Sequence, residues 1–192
     1  MTDPELIEGI LNRDRTAFQY LVIRYQRGVV KTAFHFLGNM EDAEDLSQEI
    51  FLEIIRSIHT FRNSSTLETW IYRITVNRSL NQLKKTKRRG FLIRLESIMG
   101  FSGNHSIPEP CANETSIGQE DKENKKMLRD AINKLPENQR IAFVLHKFDD
   151  HSYKQVAEIM NLSLSAVESL VHRAKSNLYT QLIAHFPEYK KN

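Results

Sequence analysis

Ser152–Leu182 reads SYKQVAEIMNLSLSAVESLVHRAKSNLYTQL, two short helical patterns that meet at Met160-Asn161-Leu162-Ser163. In the first, Val156, Ala157 and Met160 share one face, and the small Ala157 lets a second helix pack close. In the second, Val167, Leu170, Val171, Ala174 and Leu178 recur at the three- and four-residue steps of an apolar helix face. Ser163 is placed to N-cap that second helix, because its hydroxyl can accept a backbone N–H of the first turn. Two helices joined by so short a break must cross steeply. That is the helix-turn-helix arrangement, whose second helix fits a DNA major groove. Taken alone, the stretch also fits an ordinary helical hairpin.

Working back towards the N-terminus, Glu137 to Phe148 forms another helical pattern, with Ile141, Val144, Leu145 and Phe148 inward. Before it, Leu128, Ala131, Ile132 and Leu135 make the apolar side of a helix that breaks at Leu135-Pro136. From Gly100 to about Gly118 the chain is rich in Ser, Asn, Pro and Gly and lacks apolar periodicity, which reads as a linker. In the N-terminal half, Asp3 caps a short helix with Pro4 at its first position, and Asp14 caps a second that ends at Gly38. A third pattern, Glu41 to Phe61, buries Ala43, Leu46, Ile50, Phe51, Ile54, Ile55 and Ile58. A polar loop, Phe61 to Ser65, follows. Ser65 with Glu68 fits a capping box that opens a helix carrying Trp70, Ile71, Ile74, Leu80 and Leu83. Phe91 to Met99 reads as a further short helix. Trp70 fits base stacking, but its neighbours Ile71 and Ile74 favour a core position.

With 192 residues, 40% hydrophobic and 27% charged, the chain has globular composition, and 7 Gly and 5 Pro with no alternating strand pattern indicate an all-α fold. Two small helical bundles joined by a flexible linker are expected: residues 1–95, a linker over 96–122, and residues 123–187 carrying the helix-turn-helix. The net charge of +3 permits nucleic-acid binding without demanding it. Its distribution says more. Glu41 to Glu53 holds six acids and no Lys or Arg, whereas Lys84 to Arg94 holds six bases and no acid. One acidic and one basic face fit two different macromolecular partners.

Cys111 is the single cysteine, so no internal disulfide is available, which suits a reducing compartment. The start MTDPELIEGI is not a signal peptide, and no apolar run approaches the roughly 20 residues that span a bilayer. A cytoplasmic location without membrane insertion is expected. Seven scattered His show no paired metal-ligand spacing, and Asp149-Asp150-His151 reads as a solvated turn. With no phosphate loop and no nucleophile elbow, neither catalysis nor a metal or other cofactor is expected.

Three segments carry a family resemblance: DAEDLSQEIF (Asp42–Phe51), FRNSSTLETWIYRITVNRSL (Phe61–Leu80), and LPENQRIAFVL (Leu135–Leu145) followed by the helix-turn-helix. The first two resemble region 2, and the third region 4, of the extracytoplasmic-function (ECF) group of bacterial RNA polymerase sigma factors. The likeness runs from about Leu11 to Leu182 in the family's order. It implies an alternative sigma factor that binds core RNA polymerase through its β′ clamp helices and β flap, recognises promoter DNA and promotes melting. By this resemblance Asp45, Gln48 and Glu49 form the polymerase-docking patch. The −10 element falls to the loop Arg62, Asn63 and Ser64, with Arg73, Asn77, Arg78, Asn81, Lys84, Lys85 and Arg88 on the helix beyond. Ser165, Glu168, Ser169, His172 and Arg173 face the −35 element. Many family members carry a base where Glu168 stands, so the preferred −35 sequence stays open. Arg140, Lys154 and Lys175 read as phosphate partners, and each also fits an ordinary solvated surface position. The linker's length fits the family's path near the RNA exit. Many members are held by an anti-sigma factor, which makes such a protein a candidate further partner. A polymerase-independent repressor and a helical adaptor without DNA binding are the competing readings. The first would need a dimer seam, which is not evident, and the second an uncharged recognition face, which His172, Arg173 and Lys175 contradict.

Overall fold

The computed structural model describes residues 1–98 and 119–183. Among them the secondary structure is helical: α1 (Asp3–Leu11), α2 (Arg15–Leu37), α3 (Met40–Ser57), a 3-10 turn (Ile58–Thr60), α4 (Leu67–Ile98), α5 (Gln119–Asn133), α6 (Glu137–Lys147), α7 (Tyr153–Met160) and α8 (Leu164–Leu182). The all-α expectation is met. The described residues fall into two compact units, residues 1–61 with 74–98, and residues 62–73 with 119–183. The expected linker Gly100–Gly118 lies outside the described residues.

In the first unit α2 packs against both α1 and α3. Leu21, Val29, Ala33 and Phe36 of α2 meet the α3 stripe Ala43, Leu46, Ile50 and Ile54 in a core that excludes water. Each such Leu or Ile contributes roughly 1.5–3 kcal/mol relative to exposure. Asp14 caps α2 as expected, its Oδ1 accepting from the Thr16 N–H at 2.8 Å. Gly38 ends α2 in the left-handed region at φ 77°, where a side chain would be strained. The α1 cap is Thr2 rather than Asp3; its N–H donates to the Glu5 carboxylate at 2.7 Å. That bond from the Thr2 backbone holds the Glu5 pKa below the usual carboxylate value.

Gly9 sits where α1 meets α2, and a Cβ added there would lie 2.5 Å from the Ala17 Cβ, a fully buried group. Alanine at this site improves helix propensity by up to about 1 kcal/mol, but forced overpacking costs roughly 1–3 kcal/mol. Gly9→Ala is expected to be net destabilising and to lower the melting temperature in a thermal unfolding scan. An unchanged or raised midpoint would mean that α1 slides away without cost.

The boundaries of α4 also differ from expectation. The α4 cap is Thr66 rather than Ser65: the Thr66 hydroxyl accepts from the Thr69 N–H at 3.1 Å, and the Thr66 carbonyl from the Trp70 N–H. The pattern read as two helices around the basic run is one, Leu67–Ile98. Lys and Arg are good helix formers, and an isolated Gly90 is tolerated within them.

In the second unit α8 is central, packing on α5, α6 and α7. Val167, Val171, Ala174 and Leu178 are buried as expected, and Leu170 is only half-buried. On α7 the inward residues are Val156, Ala157 and Ile159; Met160 is half-buried, a one-residue rotation from the expected stripe. Leu128 of α5, expected inward, is exposed.

Candidate nucleic-acid interface

The helix-turn-helix is built by local hydrogen bonds that the sequence specifies. Ser152 and Gln155 cap α7 reciprocally, the Ser152 N–H donating to Oε1 at 2.9 Å and the Gln155 N–H to Oγ at 3.3 Å. Asn161 turns the chain through the left-handed region at φ 54°, which Asn tolerates better than most residues. The Leu162 N–H then reaches back to the Ala157 carbonyl at 3.0 Å. Ser163 caps α8, its Oγ accepting from the Ala166 N–H at 3.2 Å. The break is therefore rigid and short.

With the valine stripe of α8 turned inward, Ser165, Glu168, Ser169, His172 and Arg173 are exposed. Glu168, Ser169, His172 and Arg173 line one open depression together with Lys175 and Tyr153, while Ser165 is not among its lining residues. The Arg173 Nε donates to the Ser169 carbonyl of its own helix at 3.2 Å. Tyr153 was not anticipated from sequence. Its ring stacks on His146, with centroids 4.1 Å apart and planes at 22°, and His146 Nδ1 lies 2.9 Å from the His151 carbonyl oxygen. This brace fixes a phenol at the edge of the reading face. The available signal was its place directly after the Ser152 cap.

Arg140 is a correction. It is 5% exposed, and burial pushes its guanidinium pKa down against the opposing charge of Glu137. A side chain so enclosed cannot serve as the phosphate partner it was expected to be. Lys154 and Lys175 remain exposed.

In the first unit Asp45, Gln48 and Glu49 are all exposed on α3. Spaced at i, i+3 and i+4, they form one patch. On α4, Asn77, Arg78, Asn81, Lys84, Lys85 and Arg88 are exposed, and the spacing of Asn77, Asn81, Lys84, Lys85 and Arg88 sets them along one side. Arg78 is engaged locally: its Nε donates to the Glu53 carboxylate of α3, which raises the guanidinium pKa further. Partly exposed as the pair is, it contributes little to stability.

In the loop, Arg62, Asn63 and Ser64 are exposed, with Asn63 at φ 54°. Arg73 does not join the α4 stripe. Within the second unit it turns to α7, where its Nη2 donates to the Glu158 carbonyl at 2.5 Å and its Nε to the Glu158 and Ile159 carbonyls at 3.2 Å. No helix among the described residues is long and apolar enough to cross a membrane.

A helix-turn-helix with a mixed-charge exposed face, in one chain with an α3 helix whose exposed residues from Glu41 to Glu49 are acids and Gln48, fits a DNA-binding protein with a second, acidic surface. Family models match both halves of the chain: residues 21–89 match Sigma-70 region 2 and residues 125–178 match Sigma-70, region 4. The chain is 32% identical to the ECF RNA polymerase sigma-E factor of Escherichia coli strain K12 over 177 residues, 91% of each chain. It is 30% identical to the RNA polymerase sigma-H factor of Pseudomonas aeruginosa over 175 residues, 90% of each. Its fold is similar to that of CnrH, solved in complex with the cytosolic domain of CnrY, at a TM-score of 0.67 and 19% identity, covering 95% of this chain and 97% of that one. The chain belongs to the ECF group of the sigma-70 family and is an alternative sigma factor.

Proposed function

We propose that three separate surfaces of this sigma factor divide the work of initiation. The acidic face of α3, Asp45, Gln48 and Glu49, docks on the β′ clamp helices, its carboxylates accepting charge-assisted hydrogen bonds from basic side chains there. Arg62, Asn63 and Ser64 of the loop, with Arg73, Asn77, Arg78, Asn81, Lys84, Lys85 and Arg88 of α4, serve the −10 element. Arg and Lys neutralise phosphates and Asn reads base edges. Holding an extruded base offsets the few kcal/mol that unstacking costs. Glu168, Ser169, His172 and Arg173, joined by Tyr153, read the −35 element in the major groove, and the β flap is the partner of this domain. Residues 1–95 act as region 2, 96–122 as the linker and 123–187 as region 4. The protein redirects the polymerase active site and has no catalysis of its own. It works in the cytoplasm, and an anti-sigma factor is a further partner.

The observation that carries this reading is the reading face of α8: four polar or charged side chains exposed together in one depression. Reconstitution tests it. Purified protein with core polymerase is expected to initiate at defined promoters, with negligible sequence-specific binding by the protein alone. Tight, specific binding to a duplex in the absence of polymerase would overturn it in favour of a self-sufficient repressor or activator.

A further inference from the structure

A surface helix needs one apolar stripe, and α2 carries two. The first, Ala17, Leu21, Tyr25, Val29, Ala33 and Phe36, is buried. The second lies outside it: Tyr20 is 38% and Ile23 81% exposed, and Val30 and Phe34 are half-buried. A single exposed apolar side chain needs no explanation. These four, with Arg27, instead fall at positions 20, 23, 27, 30 and 34, in alternating steps of three and four. That is the a/d seam of a coiled coil two heptads long, and it puts Arg24 and Lys31 at both e positions.

The charge beside this seam has one sign. The 23 residues of α2 include Arg15, Arg24, Arg27 and Lys31 and no acid. Arg24 Nη1 donates to the Asp3 carboxylate of α1 at 2.7 Å, and its guanidinium lies 5.0 Å from the centre of the Tyr25 ring. The ion pair is exposed and therefore weak, so it leaves room for a second carboxylate. Arg27 and Lys31 are exposed further along. Three occupants can be compared by their chemistry. A nucleic acid satisfies the bases but gives nothing to Ile23, the most exposed large apolar side chain among the described residues. A second copy of α2 would set Arg24, Arg27 and Lys31 against like charges, which opposes pairing. A helix with apolar a and d residues and Glu or Asp at its own e and g positions satisfies both the seam and its flanks. Arg27 at an a position then fixes the register, as a single polar residue in such a seam does.

We propose that the outer face of α2, from Tyr20 to Phe34, docks an acidic amphipathic helix of a protein partner by coiled-coil pairing over about four turns. Ile23 is the apolar anchor, and Tyr20, Arg24 and Arg27 beside it are of the types that dominate binding energy at interfaces. This face shares no residue with the acidic patch of α3 or with the promoter surfaces, so it stands whether or not those assignments do. It gives the domain two protein-docking faces of opposite charge.

Amide spectra of the ¹⁵N-labelled full chain, titrated with a synthetic peptide, test the docking face. The peptide has three heptads with Leu at a and d and Glu at e and g. One control is a scrambled peptide of the same composition, and the other carries Lys in place of Glu. The Glu peptide is expected to bind saturably and to shift the amides of Tyr20, Ile23, Arg24, Arg27 and Lys31, and neither control should do so. Ile23→Asp and Arg27→Glu should each weaken that binding about tenfold or more. Both side chains are exposed, so the thermal melt of each variant should match the wild type. No saturable binding, equal binding by a control, shifts confined to other helices, or variants that bind like the wild type would each overturn the docking face. A short single-stranded oligodeoxynucleotide that shifts the same amides more strongly would overturn it in favour of nucleic acid. Concentration-dependent dimers of the chain alone that Ile23→Asp abolishes would overturn it in favour of a second copy.

Discussion

Replacing Asp45 and Glu49 together with lysine is expected to abolish measurable association with core RNA polymerase while leaving the fold intact. Both side chains are exposed one turn apart on α3, opposite the stripe that packs on α2, so neither contributes to the core. A charge-assisted hydrogen bond to a carboxylate is worth about 1.5–3 kcal/mol, and reversal adds like-charge repulsion against a basic partner. Two such losses amount to about 3–6 kcal/mol before repulsion, which corresponds to a drop of roughly a hundredfold to ten-thousandfold in affinity. Equilibrium binding to purified core polymerase measures the loss, and helical circular dichroism with a thermal melt checks the fold. Binding at the wild-type level would reduce the acidic patch to a solvated helix face. The companion Gln48→Ala, which removes no charge, is expected to weaken binding by less than tenfold, in line with one neutral hydrogen bond of about 1 kcal/mol.

The exposure of that patch was legible from sequence because α3 is amphipathic, and the same holds for α8. Where a helix buries one clean stripe, the opposite face follows from the 3.6-residue period. Asp14, Gly38 and Ser163 were legible for a related reason. Each is a residue type whose local chemistry suits a single place at a helix end. The misplaced caps show where this stops. Thr2 and Thr66 each lie next to a residue of at least equal capping preference, Asp3 and Ser65, and residue type alone does not choose between neighbours. Arg140 and Arg73 show a deeper limit. Arg140 read as a surface residue suited to phosphate, and Arg73 was placed by resemblance on the −10 side of α4; arginine is seldom fully buried. In the structure Arg140 of α6 is buried, and Arg73 is held by the carbonyl end of α7, a partner 85 positions away in sequence. Periodicity assigns a residue to a face of its own helix, but it carries no information on what another helix places against that face. Tyr153 belongs to the same class, since only its stack on His146 makes it part of the reading edge.

On the reading face itself, the expected result is that Arg173→Ala and Lys175→Ala fail in different ways. Arg173 and Lys175 line the same depression, two residues apart on α8, yet they differ in what they can recognise. An arginine presents a planar fork that donates twice to guanine O6 and N7, a contact worth about 1–3 kcal/mol of discrimination. A lysine at the groove edge acts as a point charge on phosphate, which positions the helix without reading sequence. Arg173→Ala should therefore lower transcription roughly tenfold to a hundredfold at promoters with an intact −35 element and relax the preference at one base position. Lys175→Ala should weaken all promoters to a similar extent and reduce the slope of log affinity against log salt by about one. Glu168 completes the argument, because a carboxylate accepts from cytosine N4 and repels phosphate. Glu168→Gln should broaden the preference at a second −35 position without loss of overall affinity. Transcription from a promoter library randomised across the −35 element, run with core polymerase at two salt concentrations, measures all three effects at once. If Arg173→Ala lowers every sequence equally, α8 grips the backbone without reading bases, and the sequence preference of the holoenzyme must come from the −10 surface alone.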